Sequence, residues 1–294
     1  MRIFFHSLLC TIVITLLNGC FFFQDDEQRW EIEPNGATSF ALSRDGRFAL
    51  LYSQQKQLLL WDLAEDQELA QLGPQDQLEN QVSRIRISDG LIRDVDISSN
   101  GEKVLLGLSN GKAIYVDLVT GRRLEFLAHR EKVNSVSLSS NGRYALSGGN
   151  DYKAYLWDTE SGLVLRTFEH EQRVVRVALQ RDGELAFTSD GGNQAMIWDL
   201  ETGEPQAQLQ SWSRQLIFSS ARFSDDGSML VTGTPSSQVS VWNTQDGKRI
   251  SRHDAEPLKD ARPPRAVVYD AAFDDKNRVI SGTSAGIAQA WNVD

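Results

Sequence analysis

The side chains best suited to do chemistry in this chain are His129, Ser147 and Asp151. A hydroxyl, an imidazole and a carboxylate brought together can pass a proton along the line and turn the hydroxyl into a nucleophile for acyl transfer. Such a nucleophile ordinarily stands on a sharp turn from strand to helix. Ser147 instead sits in RYALSGG, where apolar residues alternate as in a strand. Metal chemistry finds less material. Beyond the N-terminal leader only His129, His170 and His253 remain, and there is no HExxH, no CxxC and no grouping of carboxylates at ligand spacing. No metal and no cofactor are expected.

The elements that must position these residues are written as a repeat. HREKVNSVSLSSNGRYALSGGNDYKAYLWDTESGLVLRTFE is followed without a gap by HEQRVVRVALQRDGELAFTSDGGNQAMIWDLETGEPQAQLQ, so that His129 aligns with His170, 41 residues on. In the first copy the alternating runs are Val133 to Leu138, Arg143 to Ser147, Ala154 to Trp157 and Val164 to Phe168. Asn141-Gly142, Asn150-Asp151 and Ser161-Gly162 break them. Period two marks half-buried strands, and Asn-Gly supplies the positive φ of a tight hairpin. Each copy is therefore predicted to be a four-stranded antiparallel sheet.

A period near forty closed by Trp157-Asp158 and Trp198-Asp199 resembles the WD-repeat β-propeller family. That resemblance implies an all-β fold of radial blades and gives His129, Ser147, Asp151 and Trp157 a structural role as a hydrogen-bonded tetrad. The physical motive is that a buried indole N–H and imidazole need partners, and a chain ending on a carboxylate supplies them. Further units close at Trp61-Asp62, Val116-Asp117, Trp242-Asn243 and Trp291-Asn292. Six blades are expected. Seven, the commoner number in the family, is the alternative, but the stretch between Leu72 and Ile92 is too short for another. In the later copies Thr188, Thr232 and Ser281 keep the hydroxyl while the turn Asp becomes Gly192, Ser236 and Ala285. Apolar packing is therefore expected to carry more of the ring. The last unit, Val267 to Trp291, has three strands of its own, and Trp30 to Glu33 is placed to supply the fourth and close the ring.

Ahead of the repeats, Ile3 to Leu17 is an apolar run of signal-peptide size, ending in Leu17-Asn18-Gly19-Cys20. This resembles the lipobox of bacterial lipoproteins. It implies a leader over 1–19, a lipidated Cys20 opening a tether over 20–29, and the propeller over 30–294. Several acyl chains, each worth roughly 0.8 kcal/mol per buried methylene, would anchor it stably. Cys10 falls within the leader, so the mature chain would carry no free thiol, as suits an oxidising compartment. Phe21 after the cysteine implies, by resemblance to the enterobacterial sorting rule, an outer-membrane address facing the periplasm.

The formal charge of −10 is spread along the chain, which argues against a nucleic-acid partner. The largest departures from the repeat are the insert after Leu72 and SRHDAEPLKDARPPRAV from Ser251 to Val267. Both are read as connections between blades, on the face where the resembled family most often meets partners. Arg252, Lys259, Arg262 and Arg265, with Trp212 from a neighbouring loop, are the candidate partner-binding residues, Trp and Arg being frequent at interaction hot spots. The function expected is a membrane-anchored scaffold for other envelope proteins or peptides, without catalysis. The alternatives are a lactonase-like or quinoprotein-like propeller and an outer-membrane assembly scaffold. The lack of clustered ligands speaks against the first two.

Overall fold

Alternation and turn residues produce a sheet in each of the six repeats among the described residues. The computed structural model describes residues 37–43, 47–53, 58–72, 90–210, 217–256, 267–273, 278–283 and 288–293. Blade 1 is β1 (Ala37–Leu42), β2 (Phe48–Ser53), β3 (Leu58–Asp62) and β4 (Gln67–Leu72). Blade 2 is β5 (Ile92–Ile97), β6 (Lys103–Leu108), β7 (Ala113–Asp117) and β8 (Arg123–Phe126). Blade 3 is β9 (Val133–Leu138), β10 (Tyr144–Gly149), β11 (Lys153–Asp158) and β12 (Val164–Glu169). Blade 4 is β13 (Val174–Leu179), β14 (Leu185–Asp190), β15 (Ala195–Asp199) and β16 (Pro205–Gln208). Blade 5 is β17 (Ser220–Phe223), β18 (Met229–Gly233), β19 (Gln238–Asn243) and β20 (Arg249–Asp254). Blade 6 shows β21 (Val268–Phe273), β22 (Val279–Thr283) and β23 (Ala288–Trp291).

Each sheet runs in chain order and every pair is antiparallel, so each blade is a meander of hairpins. The first strand of each blade packs on the first strand of the next, from β1 through β5, β9, β13 and β17 to β21. Residues from all six of these inner strands line one narrow central bore. The fold is a six-bladed β-propeller, which settles the number in favour of six. The sixth sheet has three strands among the described residues. The segment expected to complete it, Trp30 to Glu33, lies outside them.

The core is divided among the gaps between blades. Leu105, Phe126, Val133, Val136 and Trp157 fill the gap between blades 2 and 3, and Leu146, Phe168, Val174 and Val177 that between blades 3 and 4. Middle strands are almost wholly buried, whereas outermost β12 buries little beyond Phe168. An aromatic ring late in an outer strand covers the Trp of the following blade. Phe126 stacks on Trp157 with centroids 4.6 Å apart, and Phe168 lies 4.7 Å from Trp198. At the equivalent position in β20 stands His253, stacked on Trp291 at 4.1 Å.

This last contact corrects a boundary. The insert expected from Ser251 begins later, because β20 runs to Asp254 and pairs Arg252 with Ser240 and His253 with Val239. His253 is a packing residue between blades, and Arg252 sits on an outer strand beside Asp254, 3.3 Å away.

Candidate functional site

The relay among His129, Ser147, Asp151 and Trp157 is formed as the repeat register requires. His129 enters just ahead of β9, Ser147 is in β10, Asp151 is in the turn after it and Trp157 is in β11. Nδ1 of His129 lies 3.0 Å from both oxygens of Asp151, and its Nε2 lies 2.9 Å from Ser147 Oγ. The indole N–H of Trp157 donates to that same Oγ at 3.3 Å. One proton assignment satisfies every group: Trp157 donates to Ser147, Ser147 to Nε2, and Nδ1 to the carboxylate. Burial works to raise the pKa of Asp151, but the imidazole and the N–H of Arg130 outweigh it and hold the carboxyl below its ordinary value.

The distances would serve acyl transfer; the surroundings do not. Ser147 and Trp157 are wholly buried and the imidazole of His129 is sealed. With its oxygen engaged by an indole N–H, Ser147 has no opening through which a substrate carbonyl could come within attack distance. The geometry is that of a blade stabiliser.

Blade 4 modifies the relay in a way the sequence reading missed. Thr188 Oγ1 takes the place of Ser147, 2.8 Å from His170 Nε2 and 2.7 Å from Trp198 Nε1. The turn Asp is replaced by Gly192, yet a carboxylate is present: Asp190 lies 3.8 Å from His170 Nδ1. Positions 149 and 151 read Gly and Asp in the first copy, and 190 and 192 read Asp and Gly in the second. The two residues have exchanged places. The aligned copies contained this signal, since SGGND faces TSDGG. Gly149 is needed where it stands, because a Cβ there would come 2.7 Å from both Asp151 Oδ1 and His129 Nδ1. At 3.8 Å the substitute carboxylate gives only part of what Asp151 gives. Burial lowers the pKa of His170, and the nearby Asp190 only partly opposes it.

The remaining signature residues act locally. In blade 5, Trp242 donates to Thr232 at 2.8 Å. Blade 1 has Leu51 at the hydroxyl position, and Trp61 turns to Asp66 at 3.3 Å. In blade 6 Ser281 Oγ is buried without a hydrogen-bond partner among the described residues, and Trp291 stacks on His253. The acidic half of the signature caps the turn that follows. Asp62 accepts the N–H groups of Ala64 and Glu65, Asp117 those of Val119 and Thr120, and Asp158 those of Glu160 and Ser161. Asp199 accepts from Thr202. Asn243 does the same for Gln245 and Asp246, so this role needs an acceptor oxygen and no charge.

A second polar set lines the bore. Asp94, Ser135 and Arg176 occupy the same position in β5, β9 and β13, and Asp96 and Ser137 the next inward-facing one. Inner strands present unpaired backbone N–H groups, and these side chains accept them from the neighbouring blade. Asp94 accepts from Val136 at 3.0 Å, Asp96 from Leu138 at 2.7 Å, Ser135 from Val177 at 3.2 Å and Ser137 from Leu179 at 3.0 Å. Arg176 crosses blade 3 to reach Asp94 at 3.2 Å, and Arg222 reaches Asp270 at 3.0 Å. These residues leave a free volume of about 80 Å³ in the bore, room for a few waters.

Of the expected partner-binding residues, Trp212, Lys259, Arg262 and Arg265 lie outside the described residues, as do Cys20, the leader and the tether. Arg252 is on β20. Among the described residues no three His, Cys, Asp or Glu side chains converge as a metal site would require, and no helix is long and apolar enough to cross a membrane.

Six radial blades make up the propeller, three with an indole-to-hydroxyl bond and one of these with the whole relay. Consistent with this, residues 121–158 and 203–243 match the family model described as WD domain, G-beta repeat, so the chain carries WD repeats. Each matched stretch opens on the outer strand of one blade, β8 or β16, and runs through three inner strands of the next. No curated protein sequence matches the chain.

Proposed function

We propose that this protein is a non-enzymatic scaffold, lipid-anchored through Cys20 in a bacterial envelope, that holds other envelope proteins on the face carrying its blade-to-blade connections. The observation that carries the reading is the use made of its one reactive-looking cluster. His129, Ser147 and Asp151 are spent inside a blade, and WD propellers serve generally as interaction platforms. The connections from β4 to β5 and from β20 to β21 are the longest in the repeat and depart most from it. The latter holds Lys259, Arg262 and Arg265 on an acidic chain. The lipobox resemblance at Leu17 to Cys20 supports the address, and Phe21 supports the outer membrane.

The test is crosslinking of the native protein in its envelope, followed by mass spectrometry of what is captured. A reproducible protein partner, lost when Trp212 or the pair Arg262 and Arg265 is replaced by Ala in a protein that melts normally, is the expected result. Capture of lipid alone would overturn the scaffold reading. An unmodified Cys20 in the intact-mass spectrum would overturn the anchor.

A further inference from the structure

On the opposite face, where the first and third hairpins of each blade turn, a groove of about 780 Å³ runs across blades 3, 4 and 5. That volume falls in the range of ligand-binding clefts. Its apolar lining comes from Tyr144, Leu156, Leu165, Leu185 and Leu200. Its rim is acidic: Asp182, Glu184, Asp199, Glu201 and Asp226 line it against one cation, Arg166. Arg166 is committed to the fold, since its Nη2 donates to the carbonyl of Glu201 and it packs along the turn at Gly203. Asp199 and Asp226 are occupied by Thr202 and by Ser224 and Ser228. The carboxylates of Asp182, Glu184 and Glu201 have no hydrogen-bonded or ion-paired partner among the described residues.

The outer strand of blade 3 adds apolar surface at the edge of this face. Outer strands open on Gln67-Glu68 in blade 1, Arg122-Arg123 in blade 2, Glu204-Pro205 in blade 4 and Lys248-Arg249 in blade 5. Blade 3 alone among these has two apolar side chains, Leu163 and Val164, and they are 66% and 43% exposed. Leu165, which follows, is the extra residue of a bulge between Val164 and Arg166 and is itself 39% exposed. The bulge residue is apolar in blades 1 and 5 as well, Leu69 and Ile250, so what sets blade 3 apart is the pair Leu163 and Val164 just before it. Of the three, Leu165 lines the groove and adds apolar surface beside a rim of unpaired negative charge.

We infer that this groove docks a peptide segment of a partner in which basic residues flank an apolar side chain, Arg or Lys meeting Glu184 and Glu201 while the apolar group enters over Leu165 and Leu185. The inference rests on the scaffold reading and adds a second surface to it, with its own chemistry. Such a complex combines a small apolar anchor with partly exposed charge pairs, so its affinity should fall as salt is raised.

The probe is a labelled synthetic peptide with Arg on both sides of a Leu, followed by fluorescence anisotropy on the full-length protein in detergent. Control peptides carry Glu for Arg or Ser for Leu. The paired change Glu184→Lys with Glu201→Lys should weaken binding about tenfold or more. Glu131→Lys with Glu171→Lys makes the same change in net charge on the other face and should leave binding within about twofold. Leu165→Ser should weaken binding of the Leu peptide but not of the Ser peptide. Equal loss from both charge pairs would reduce the effect to general attraction by an acidic protein and overturn the site. So would equal binding of the Glu peptide, or self-association abolished by Leu163→Ser, which would assign the apolar edge to a second copy. Capture of a partner through Arg262 and Arg265 would be untouched by any of these failures, so this docking site can fail while the scaffold reading stands.

Discussion

At the scale of single residues, the exchange between Gly149 with Asp151 and Asp190 with Gly192 separates what the relay needs from how a family pattern is usually spelled. The imidazole needs an acceptor for its second N–H, and either position can hold one, given that the other is small enough. Asp151→Gly should cost about 1–3 kcal/mol, because it leaves a buried N–H unpaired. Gly149→Asp alone should also destabilise, since its Cβ meets Asp151 and His129. The double variant reproduces the arrangement of blade 4 and should be more stable than the sum of the two losses by more than about 0.5 kcal/mol, measured by urea unfolding. Simple additivity would show that the carboxylate does not follow its substitute. His170 allows a separate test by pH. Its folded pKa lies below the ordinary 6.5, so the unfolded chain binds the proton first as pH falls. Stability tied to neutral His170 is full above pH 6.5 and declines from there toward the folded pKa. Wild type should lose more melting temperature between pH 7.5 and about 5.5 than His170→Gln does. Parallel curves would mean that this imidazole does not contribute.

The elements were legible because two codes agree in blades 1 to 5: apolar alternation fixes which face of a strand is buried, and Asx-Gly fixes where its first hairpin turns. Limits of legibility appear where one code is missing. The end of β20 was hidden because Arg252 and His253 are polar, and only the stack of His253 on Trp291 shows why the strand continues. Asp190 was passed over because a family template directs attention to the turn, although the repeat placed the carboxylate in plain sight one strand end earlier. Turns offer a test at this scale. Gly121 and Gly247 hold the same place in the hairpins of blades 2 and 5, with φ of 71° and 67°. An added Cβ at Gly121 meets nothing within 4 Å, whereas at Gly247 it would lie 2.1 Å from the carbonyl oxygen of Gln208 in the neighbouring blade. Gly121→Ala should therefore cost only the left-handed backbone, about 1–2 kcal/mol. Gly247→Ala must also shift a backbone and should cost clearly more. Equal losses in urea unfolding would mean that blades 4 and 5 yield freely at that contact.

For the molecule as a whole, the open question is what turns six separate meanders into one ring. Apolar packing between blades supplies most of it: Trp157 and Trp242 are almost fully buried, and burial of such residues is worth several kcal/mol each. Packing alone, however, leaves the N–H groups facing the bore unpaired. The acceptors at Asp94, Asp96, Ser135 and Ser137 meet that need, each bonding to the next blade along. These residues were printed in the sequence at the repeat period, but without a structure a polar residue in an inner strand reads only as the solvent side of the alternation. Arg176 adds a tie of another kind, since it passes over blade 3 to reach Asp94 in blade 2. Its guanidinium side chain is 24% exposed and its partner 12%, so the pair is neither a free surface bridge nor a fully buried one. Arg176→Met should accordingly cost about 1–3 kcal/mol, less than the loss from breaking a wholly buried pair. Arg181→Met is the comparison, because Arg181 and Asp225 form a pair of similar length with 48% and 71% exposure. That change should fall within about 0.5 kcal/mol of wild type. In an Asp94→Asn background the effect of Arg176→Met should shrink by more than about 0.5 kcal/mol. If the two arginines cost the same, or if the effect of Arg176→Met is unchanged by Asp94→Asn, the crossing contact does not tie the blades and apolar packing holds the ring without it.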